Sequence, residues 1–535
     1  MKSIPRRKFL QQSALSAAGL ATISPGVKGL ASKTHFTPAL VIGSGFGGAV
    51  ASLRLAQAGV HTLVLERGRR WPITPEGNTF ATFEKPDGRA AWLSPFSPIV
   101  LLEQQFGIPP TPIDVFAGVL EGIQADGINV VVGAGVGGGS LVYNAITVQP
   151  RREVFERVFP RVIDYDEMNS VYYPRVKSII KPAPIPQDIL STSFFQSTRV
   201  NFEQARRAGF STRLVDLAID WDVVREEING TRAPSAIAGQ SWYGLNSGAK
   251  KSLDRNYLDM AEKTGRVEIL PLHIVTRIQE FRRLGLYVVS AKQIDEHGAT
   301  LAQRYFACRY LFLAAGSMGT SKLLTQSKAT GDLPHLSDEV GRNWGGNGDI
   351  VVVRAGGPPT NPGTGGTAGH FIMEDLENPH GPVGLIELVT PRHLALSPSI
   401  SSYVGMGLPP AIGEFNYDPA TGNTNLRWPP LTDPRLSDFL AGSQRMLNVL
   451  NEKNADGEFR PQTLLYAPTL TGHPLGGATL GTVCDQYGRV KRHRGLYVVD
   501  GAFIPGSTGI VNPSLTIAAL AERSLERILE KDILK

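Results

Sequence analysis

The chain of 535 residues is long enough for about three average domains, and its content of 42% hydrophobic and 19% charged residues is that of a globular protein. The formal net charge of +6 lies in six bases that precede His35 in a stretch without acids: Lys2, Arg6, Arg7, Lys8, Lys28 and Lys33. The remainder has 48 bases and 48 acids, and this balance excludes nucleic acid as a partner.

Residues 1–31 have the pattern of an export signal. Arg6-Arg7-Lys8-Phe9-Leu10 precedes an uncharged stretch from Gln11 to Pro25, and small residues follow at Gly29-Leu30-Ala31. The pattern is typical of a twin-arginine signal, and a disordered basic tail is the alternative. We expect cleavage near Ala31 and a secreted or periplasmic protein.

A glycine-rich turn follows the first apolar segment. Ala39–Ile42 predicts a strand buried on both faces, and Gly43-Ser44-Gly45-Phe46-Gly47-Gly48 leads into a helix from Ala49 to about Gln57. Glycines at these spacings let a pyrophosphate approach the helix N-terminus. A second strand, His61 to Leu65, ends at Glu66, where a carboxylate can bond an adenosine ribose. Together these features predict a Rossmann-like dinucleotide-binding unit.

Further elements follow along the chain. A second glycine cluster, Gly133 to Gly139, comes after the β-rich run Ile128 to Val131 and indicates backbone that passes close to a cofactor. The other predicted elements are strands at Val267–Leu270, Tyr310–Ala315 and Leu496–Val499, helices over Ser193–Ala208, Met318–Thr325 and Ser514–Leu529, and a loop-rich segment over Asn343–Gly369.

The sequence predicts no metal site. Cys308 and Cys484 are the two cysteines, and neither has a partner at metal-ligand spacing. The ten histidines are scattered, without a His-x-His or His-x-x-x-His pair.

Several motifs in this order resemble the glucose–methanol–choline (GMC) family of FAD oxidoreductases, and within it the bacterial cholesterol oxidases. The resemblance covers Ala39 to the C-terminus. It rests on these motifs: Gly137-Gly138-Gly139-Ser140-Leu141-Val142, Ser252-Leu253-Asp254, Tyr310 to Gly316, Trp344-Gly345-Gly346-Asn347-Gly348, His473-Pro474-Leu475-Gly476-Gly477 and Asp500-Gly501.

The resemblance implies an α/β (α+β) two-domain fold. A Rossmann-like FAD-binding domain would be formed by residues 36–150, 255–345 and 484–535, and a mixed-sheet substrate-binding domain by residues 151–254 and 346–483. It further implies FAD held without a covalent bond, a sterol substrate, O2 as acceptor, transient contact with a membrane surface and a monomer.

The cofactor contacts implied by the resemblance and by the glycine turn involve fourteen residues. They are Gly43, Gly45, Phe46, Gly47, Gly48, Glu66, Gly139, Asn144, Ile146, Val275, Asp500, Gly501, Asn512 and Ser514. Two places depart from the cholesterol oxidase pattern. Tyr143-Asn144-Ala145-Ile146 stands where those enzymes have Asn-Gly-Gly-Met, and Ser514 stands where they have an aromatic residue.

Three side chains are candidates for catalysis. Oxidising an alcohol requires a polar group at the hydroxyl oxygen, and His473 lies beside a Pro-Leu-Gly-Gly turn that can approach a flavin. Asn512 precedes Pro513 and could bond both the substrate hydroxyl and the flavin edge; an ordinary helix cap is the alternative.

Glu387 lies between Leu385-Ile386 and Leu388-Val389, and a carboxylate in such apolar surroundings is costly unless it is paired, protonated or used. By the resemblance it is the base that moves a proton from C4 to C6 and converts the Δ5-ketone to the conjugated Δ4-ketone. A buried salt bridge is the alternative.

These observations together indicate FAD-dependent oxidation of the 3β-hydroxyl of cholesterol or a related sterol by O2, with H2O2 as a product and isomerisation as a second step. The alternatives are a GMC enzyme for another hydrophobic alcohol or another electron acceptor, a silent flavin-binding or sterol-binding protein, and an NAD-dependent dehydrogenase.

Overall fold

The computed structural model describes residues 34–98, 110–366, 369–392, 395 and 397–534. The twin-arginine segment predicted for residues 1–31 lies outside them. Within this part of the chain, no helix is long and apolar enough to cross a membrane.

The structure combines several β-sheets with helices. The strands are β1 (Thr34–Ile42), β2 (Thr62–Leu65), β3 (Leu120–Ala125), β4 (Ile128–Gly133), β5 (Ser211–Leu214), β6 (Val267–Leu270), β7 (His273–Phe281), β8 (Leu286–Ile294), β9 (Thr300–Leu313), β10 (Ile350–Ala355), β11 (Phe371–Asp375), β12 (Val383–Leu388), β13 (Ser401–Met406), β14 (Glu414–Asp418), β15 (Asn423–Arg427), β16 (Gln462–Ala467), β17 (Leu470–Thr471) and β18 (Leu496–Val498). The longer helices are α1 (Phe46–Gln57), α2 (Arg152–Val158), α3 (Tyr173–Ile180), α4 (Gln196–Arg207), α5 (Trp221–Ile228), α6 (Tyr257–Lys263), α7 (Gly316–Ala329), α8 (Ser437–Glu452) and α9 (Ser514–Ile528).

The first sheet has the order β6-β2-β1-β9-β8-β7, and β18 also pairs with β9. β6, β2, β1, β9 and β18 are mutually parallel, whereas β8 pairs antiparallel with β9, and β7 pairs antiparallel with β8. β1 is apolar and buried from Ala39 to Ile42, and β9 is apolar and buried from Leu311 to Leu313, because helices and loops cover both faces there: Leu40 and Leu311 are fully buried. This arrangement confirms the predicted Rossmann-like unit.

The second sheet is antiparallel and has the order β16-β10-β13-β12-β11-β5. One face packs against α4 and α8, through side chains that include Leu385 and Tyr403. On the opposite face, Ile386 and Met406 belong to the large core that includes the first sheet. Because side chains alternate along a strand, β12 contributes alternate residues to two different environments.

The turn between β1 and α1 packs directly on other strands of the first sheet. A Cβ on Gly47 would overlap the carbonyl oxygen of Val499, just beyond β18. Gly43 has φ +95°, and a Cβ there would overlap the carbonyl of Ala314 at the end of β9. Both positions therefore require glycine, and the turn is fixed to two strands that are distant in sequence.

α9 packs against α1. The Arg54 guanidinium on α1 donates to both oxygens of Glu522 on α9, at 2.6 and 2.8 Å, and joins positions 468 residues apart in the chain. The Tyr257 hydroxyl of α6 donates to the same carboxylate at 2.8 Å. Because Glu522 is 1% exposed, these hydrogen bonds replace its contacts with water.

The predicted elements differ from the observed ones in bounds and in one strand. The loop-rich segment predicted over Asn343–Gly369 contains β10, a central strand of the second sheet. The helix predicted over Ser193–Ala208 begins as a 3₁₀ turn, Ser193–Phe195, before α4. The helix predicted over Met318–Thr325 is longer and forms α7. The ranges assigned to two domains stay a prediction.

Candidate active site

Glu66 is tied to the first glycine turn. One carboxylate oxygen accepts from the Ser44 backbone N–H at 3.0 Å and from the Ser44 hydroxyl at 2.6 Å, and the other accepts from Gly68 N–H at 2.9 Å. A carboxylate has about four acceptor positions, so one is left for a further donor such as a ribose hydroxyl.

The two glycine clusters contact each other. Gly137 N–H donates to the Ser44 hydroxyl at 3.1 Å, and a Cβ on Gly138 would lie 2.6 Å from the Gly45 Cα. By contrast, a Cβ on Gly139 would meet no atom within 4 Å. The two turns thus form a backbone cradle with open space beside Gly139, next to the N-terminus of α1.

Two buried amide oxygens lack a hydrogen-bond donor that a bound group could supply. Asn144 Oδ1 and Asn512 Oδ1 are buried and have no hydrogen-bond partner. The Ser514 hydroxyl donates to the Ile146 carbonyl at 2.8 Å and so fixes the segment of Asn144 to the start of α9. Unpaired buried acceptors are costly, and donors on a flavin nucleotide would satisfy them. With the glycine cradle, these residues fit FAD.

Asp500 and Gly501 lie at the end of β18, beside the turn that carries His473. The Asp500 carboxylate accepts from the Thr320 hydroxyl at 2.6 Å and from Ala502 N–H at 2.9 Å. Burial raises the pKa of Asp500 to about 6, which these hydrogen bonds partly oppose. The Gly501 carbonyl accepts from Gly476 N–H at 2.9 Å.

The remaining predicted cofactor residues lie around this cradle. Phe46 is the first residue of α1, and its ring meets Tyr143 edge-to-face at 5.6 Å between centroids. Gly48 lies in the first turn of α1, where a Cβ would overlap the Gly43 carbonyl oxygen. Val275 lies on β7 at a break in its register with β8, two residues after His273, whose N–H donates to the Glu66 carbonyl at 2.9 Å.

The structure brings His473 and Asn512 together. The Asn512 amide nitrogen lies 3.0 Å from His473 Nε2, and His473 Nδ1 lies 2.8 Å from an Asp349 carboxylate oxygen. An ionised carboxylate can only accept, so Nδ1 carries the hydrogen and Nε2 accepts from the Asn512 amide. This arrangement leaves the Nε2 lone pair directed away from Asp349.

Asp349 is a site residue that the sequence analysis missed. Its side chain is 1% exposed, and its second oxygen accepts from the Thr471 hydroxyl at 2.8 Å and from Gly472 N–H at 3.1 Å. The same Thr471 oxygen accepts from His473 N–H at 2.9 Å. A carboxylate placed directly after Trp344-Gly345-Gly346-Asn347-Gly348, and thus beside a motif that was recognised, was the signal that could have identified it.

Lys250 was missed as well. It is buried, and its ammonium group donates to the carbonyls of Leu141 and Ser241 at 2.9 and 3.0 Å and lies 5.8 Å from the Tyr143 ring centroid. Burial lowers the pKa of Lys250 to about 7. Lys250 therefore anchors the Leu141–Ile146 segment from the side of the Ser241–Lys250 loop.

Glu387 is not brought to the His473–Asn512 pair. It pairs across β12 and β13 with Tyr403, so both side chains lie on the face covered by α4. There the Thr198 hydroxyl donates to the carboxylate at 2.9 Å, and His370 Nδ1 lies 3.0 Å from the same hydroxyl. Glu387 is 3% exposed, and this cluster satisfies it within the protein.

The opposite face of β12 is directed toward the loop that carries Asn512. A Cβ on Gly384 would lie 2.7 Å from the Ile510 carbonyl oxygen, and Ile386 lies near Ile146, since a Cβ on Gly369 would touch both. The face on the Asn512 side is apolar at these positions. A histidine and an amide therefore lie beside an apolar surface, which is the combination that the oxidation of a hydrophobic alcohol requires.

Comparisons with known proteins identify the family of this chain. A family model described as GMC oxidoreductase matches residues 39–345, and a second with the same description matches residues 416–521. The chain is 27% identical to a cholesterol oxidase of Mycobacterium tuberculosis, over 91% of this chain and 90% of that protein. It is 24% identical to a cholesterol oxidase of Acinetobacter baumannii, over 93% of this chain and 95% of that protein.

Two solved structures share the fold. A pyridoxine 4-oxidase from Mesorbium loti has a TM-score of 0.61 and 14% identity, over 92% of this chain and 99% of that one. A formate oxidase from Aspergillus oryzae RIB40, studied for FAD modification, has a TM-score of 0.60 and 15% identity, over 94% of this chain and 100% of that one. The first family model spans more than half of the chain, which therefore belongs to the GMC oxidoreductases, a family of FAD-dependent enzymes.

Proposed function

We propose that this protein oxidises the 3β-hydroxyl of cholesterol or a related sterol to a ketone, with O2 as the electron acceptor and H2O2 as a product. Two relatives named cholesterol oxidase, each aligned over more than nine-tenths of this chain, support the substrate class. The observation that carries the chemistry is the hydrogen-bonded series Asp349–His473–Asn512.

FAD, when bound, supplies the acceptor for the hydride that leaves the alcohol carbon. The residues of this chain act on the hydroxyl proton. Since Asp349 holds the hydrogen of His473 on Nδ1, Nε2 has the lone pair and accepts that proton. The Asn512 amide occupies the position from which a donor bonds Nε2. When the substrate hydroxyl takes this position, we expect the amide to bond the hydroxyl oxygen.

Anaerobic mixing of the purified, FAD-loaded protein with cholesterol tests the proposal. We expect the flavin absorption to bleach, and in air we expect one H2O2 for each ketone formed. His473→Ala should stay yellow and lose about 10²- to 10⁴-fold in turnover, because no base accepts the proton. A wild-type protein that bleaches with other alcohols but never with a sterol would contradict the substrate, and His473→Ala at full rate would contradict the mechanism.

A second candidate is a GMC enzyme for another hydrophobic alcohol or another electron acceptor. The departure at Tyr143-Asn144-Ala145-Ile146 favours it, because Tyr143 adds a ring beside Phe46 in this segment. Steady-state rates with a panel of sterols and long-chain alcohols, each with O2 and with an artificial acceptor, separate the two candidates.

Isomerisation of the ketone by Glu387 is a separate prediction. It requires the carboxylate to leave Thr198 and reach the opposite face of β12. The supported proposal is therefore the oxidation step.

We propose that the FAD is held without a covalent bond, by the glycine cradle and the amide oxygens described above. Acid precipitation of the yellow protein should then leave all of the flavin in the supernatant. Flavin that stays with the pellet would contradict this mode of binding.

We also propose export through the twin-arginine route, a monomer, and transient contact with a membrane surface when the sterol is taken up. Replacement of Arg6 and Arg7 by lysine should retain the protein in the cytoplasm. Export of that variant at the normal level would contradict the route.

A further inference from the structure

Ile510 adopts a strained backbone conformation next to the catalytic pair. Its φ is +55°, in the left-handed region that β-branched residues avoid, and its side chain is 1% exposed. Such a conformation persists only where the surroundings enforce it. Asn512 follows two residues later, so whatever enforces this conformation also determines where the Asn512 amide lies.

Asn347 is the group that holds this loop. It is fully buried, and its Oδ1 accepts from Thr508 N–H at 2.9 Å and from the Thr508 hydroxyl at 3.2 Å. Its Nδ2 donates to the Val511 carbonyl at 3.0 Å, on the other side of Ile510. One side chain thus bridges the residues that flank the strained position.

The same turn also holds His473. Asp349, two residues after Asn347, accepts from His473 Nδ1. A hydrogen bond from Asp349 N–H to the Gly346 carbonyl at 3.0 Å closes the turn, and Asn347 N–H donates to the Gly506 carbonyl at 3.0 Å. Residues 346–349 therefore contact both the histidine and the loop of Asn512, and the spacing between them depends on this one turn.

We propose that Asn347 is a positioning residue that holds the strained Ile510 loop so that the Asn512 amide stays beside His473 Nε2. The expected loss of rate rests on the proposed function. The expected loss of the contact between Asn512 and His473 rests on the hydrogen bonds alone. Loss of the Asn347 side chain lets the loop relax toward an unstrained conformation and separates the two catalytic groups.

Asn347→Gly tests the proposal, since glycine keeps the positive φ of 58° at this position while it removes the side chain. We expect kcat to fall about 100-fold from misplacement of Asn512, with KM changed by less than about threefold. Asn347→Gly combined with Asn512→Ala should be no slower than Asn512→Ala alone.

Asn343→Gly is the matched control. Asn343 also has a positive φ, of 56°, shortly before the turn, but it makes none of the contacts that link Asn347 to the Ser507–Asn512 loop. We expect this variant to have wild-type rates and flavin absorption.

Crystal structures of the wild type and of Asn347→Gly separate this inference from the proposed function. The contact between Asn512 Nδ2 and His473 Nε2 should be present in the wild type and lost in the variant, whichever alcohol is oxidised. If the variant keeps this contact, or has the wild-type kcat on the best alcohol, the inference is wrong. A wild type that keeps the contact but oxidises no sterol contradicts the proposed function alone.

Discussion

At the scale of single residues, the candidate site depends on buried carboxylates that serve different purposes. Asp349 orients the imidazole of His473, whereas Asp500 is held by a hydroxyl and a backbone N–H at the end of β18. Glu66 satisfies the first glycine turn. The sequence placed Glu66 and Asp500 at the cofactor site but gave no warning of Asp349, because its role depends on which donors the fold places around it.

Asp349→Asn should reduce kcat far more than it affects FAD content. An amide can present its NH2 group to Nδ1, and the ring then carries its hydrogen on Nε2 and cannot accept the proton. In serine proteases the equivalent change costs about 10⁴-fold, and we expect about 10²- to 10⁴-fold here. Stopped-flow bleaching measures the rate, and Asp433→Asn, in an exposed turn, is the control. An unaffected rate would remove Asp349 from the mechanism.

Asp500 should make the protein less stable as the pH rises. Its folded pKa of about 6 is above the unfolded value near 4, so its contribution is fully present below pH 4 and is lost as the pH rises through 6. A difference of about two pKa units corresponds to about 3 kcal/mol. Urea unfolding at pH 4.5 and 7.5 should show a smaller difference for Asp500→Asn than for the wild type. Equal differences would contradict the assignment.

At the scale of elements, the parallel strands of the first sheet were readable from sequence, whereas its antiparallel strands β7 and β8 and the face that a residue occupies in the second sheet were not. Runs such as Leu40–Ile42 are apolar throughout because they are buried on both faces. β10 was missed because glycines and prolines surround it. The position of Glu387 depends on the register of β12 with β13, and a shift by one residue would reverse its face.

The contacts of Glu387 lead to an expectation about the product. Glu387→Gln should leave the ratio of conjugated to unconjugated ketone unchanged, since the carboxylate faces α4 and bonds Thr198. It should lower the free energy of unfolding by about 1–3 kcal/mol through a disturbed buried hydrogen bond. Chromatography of the products checks the first expectation. Thr198→Val is the matched control, because it removes the same hydrogen bond but keeps the carboxylate. If Glu387→Gln releases unconjugated ketone and Thr198→Val does not, the carboxylate reaches the substrate.

At the scale of the whole molecule, the candidate nucleotide site is formed by segments from distant parts of the chain. The order of the motifs was enough to predict this assembly, because four of the parallel strands are followed within three residues by a recognisable glycine or acid: β1 by Gly43, β2 by Glu66, β9 by Gly316 and β18 by Asp500. The pairing of Asn347 with the Asn512 loop, and of Asp349 with His473, could not be predicted, since these contacts join residues more than a hundred positions apart without a local pattern.

Glu522→Gln tests how strongly α1 and α9 depend on each other. The change removes the buried negative charge to which Arg54 and Tyr257 both donate hydrogen bonds. We expect the free energy of unfolding to fall by about 3 kcal/mol. Glu526→Gln on the same helix is the control, because its pair with Arg175 is exposed and should contribute less than about 1 kcal/mol. Equal urea midpoints for the two variants would contradict this dependence.

The contact between Gly47 and Val499 has a consequence for biosynthesis. On the ribosome, the first glycine turn emerges long before the strand against which it packs, so the nascent chain exposes an unfinished pocket for most of its synthesis. We therefore expect loading of the nucleotide to wait until translation has passed β18. If a signal sequence directs this protein to a pathway for folded cargo, that interval is when chaperones would have to hold it back from the translocase.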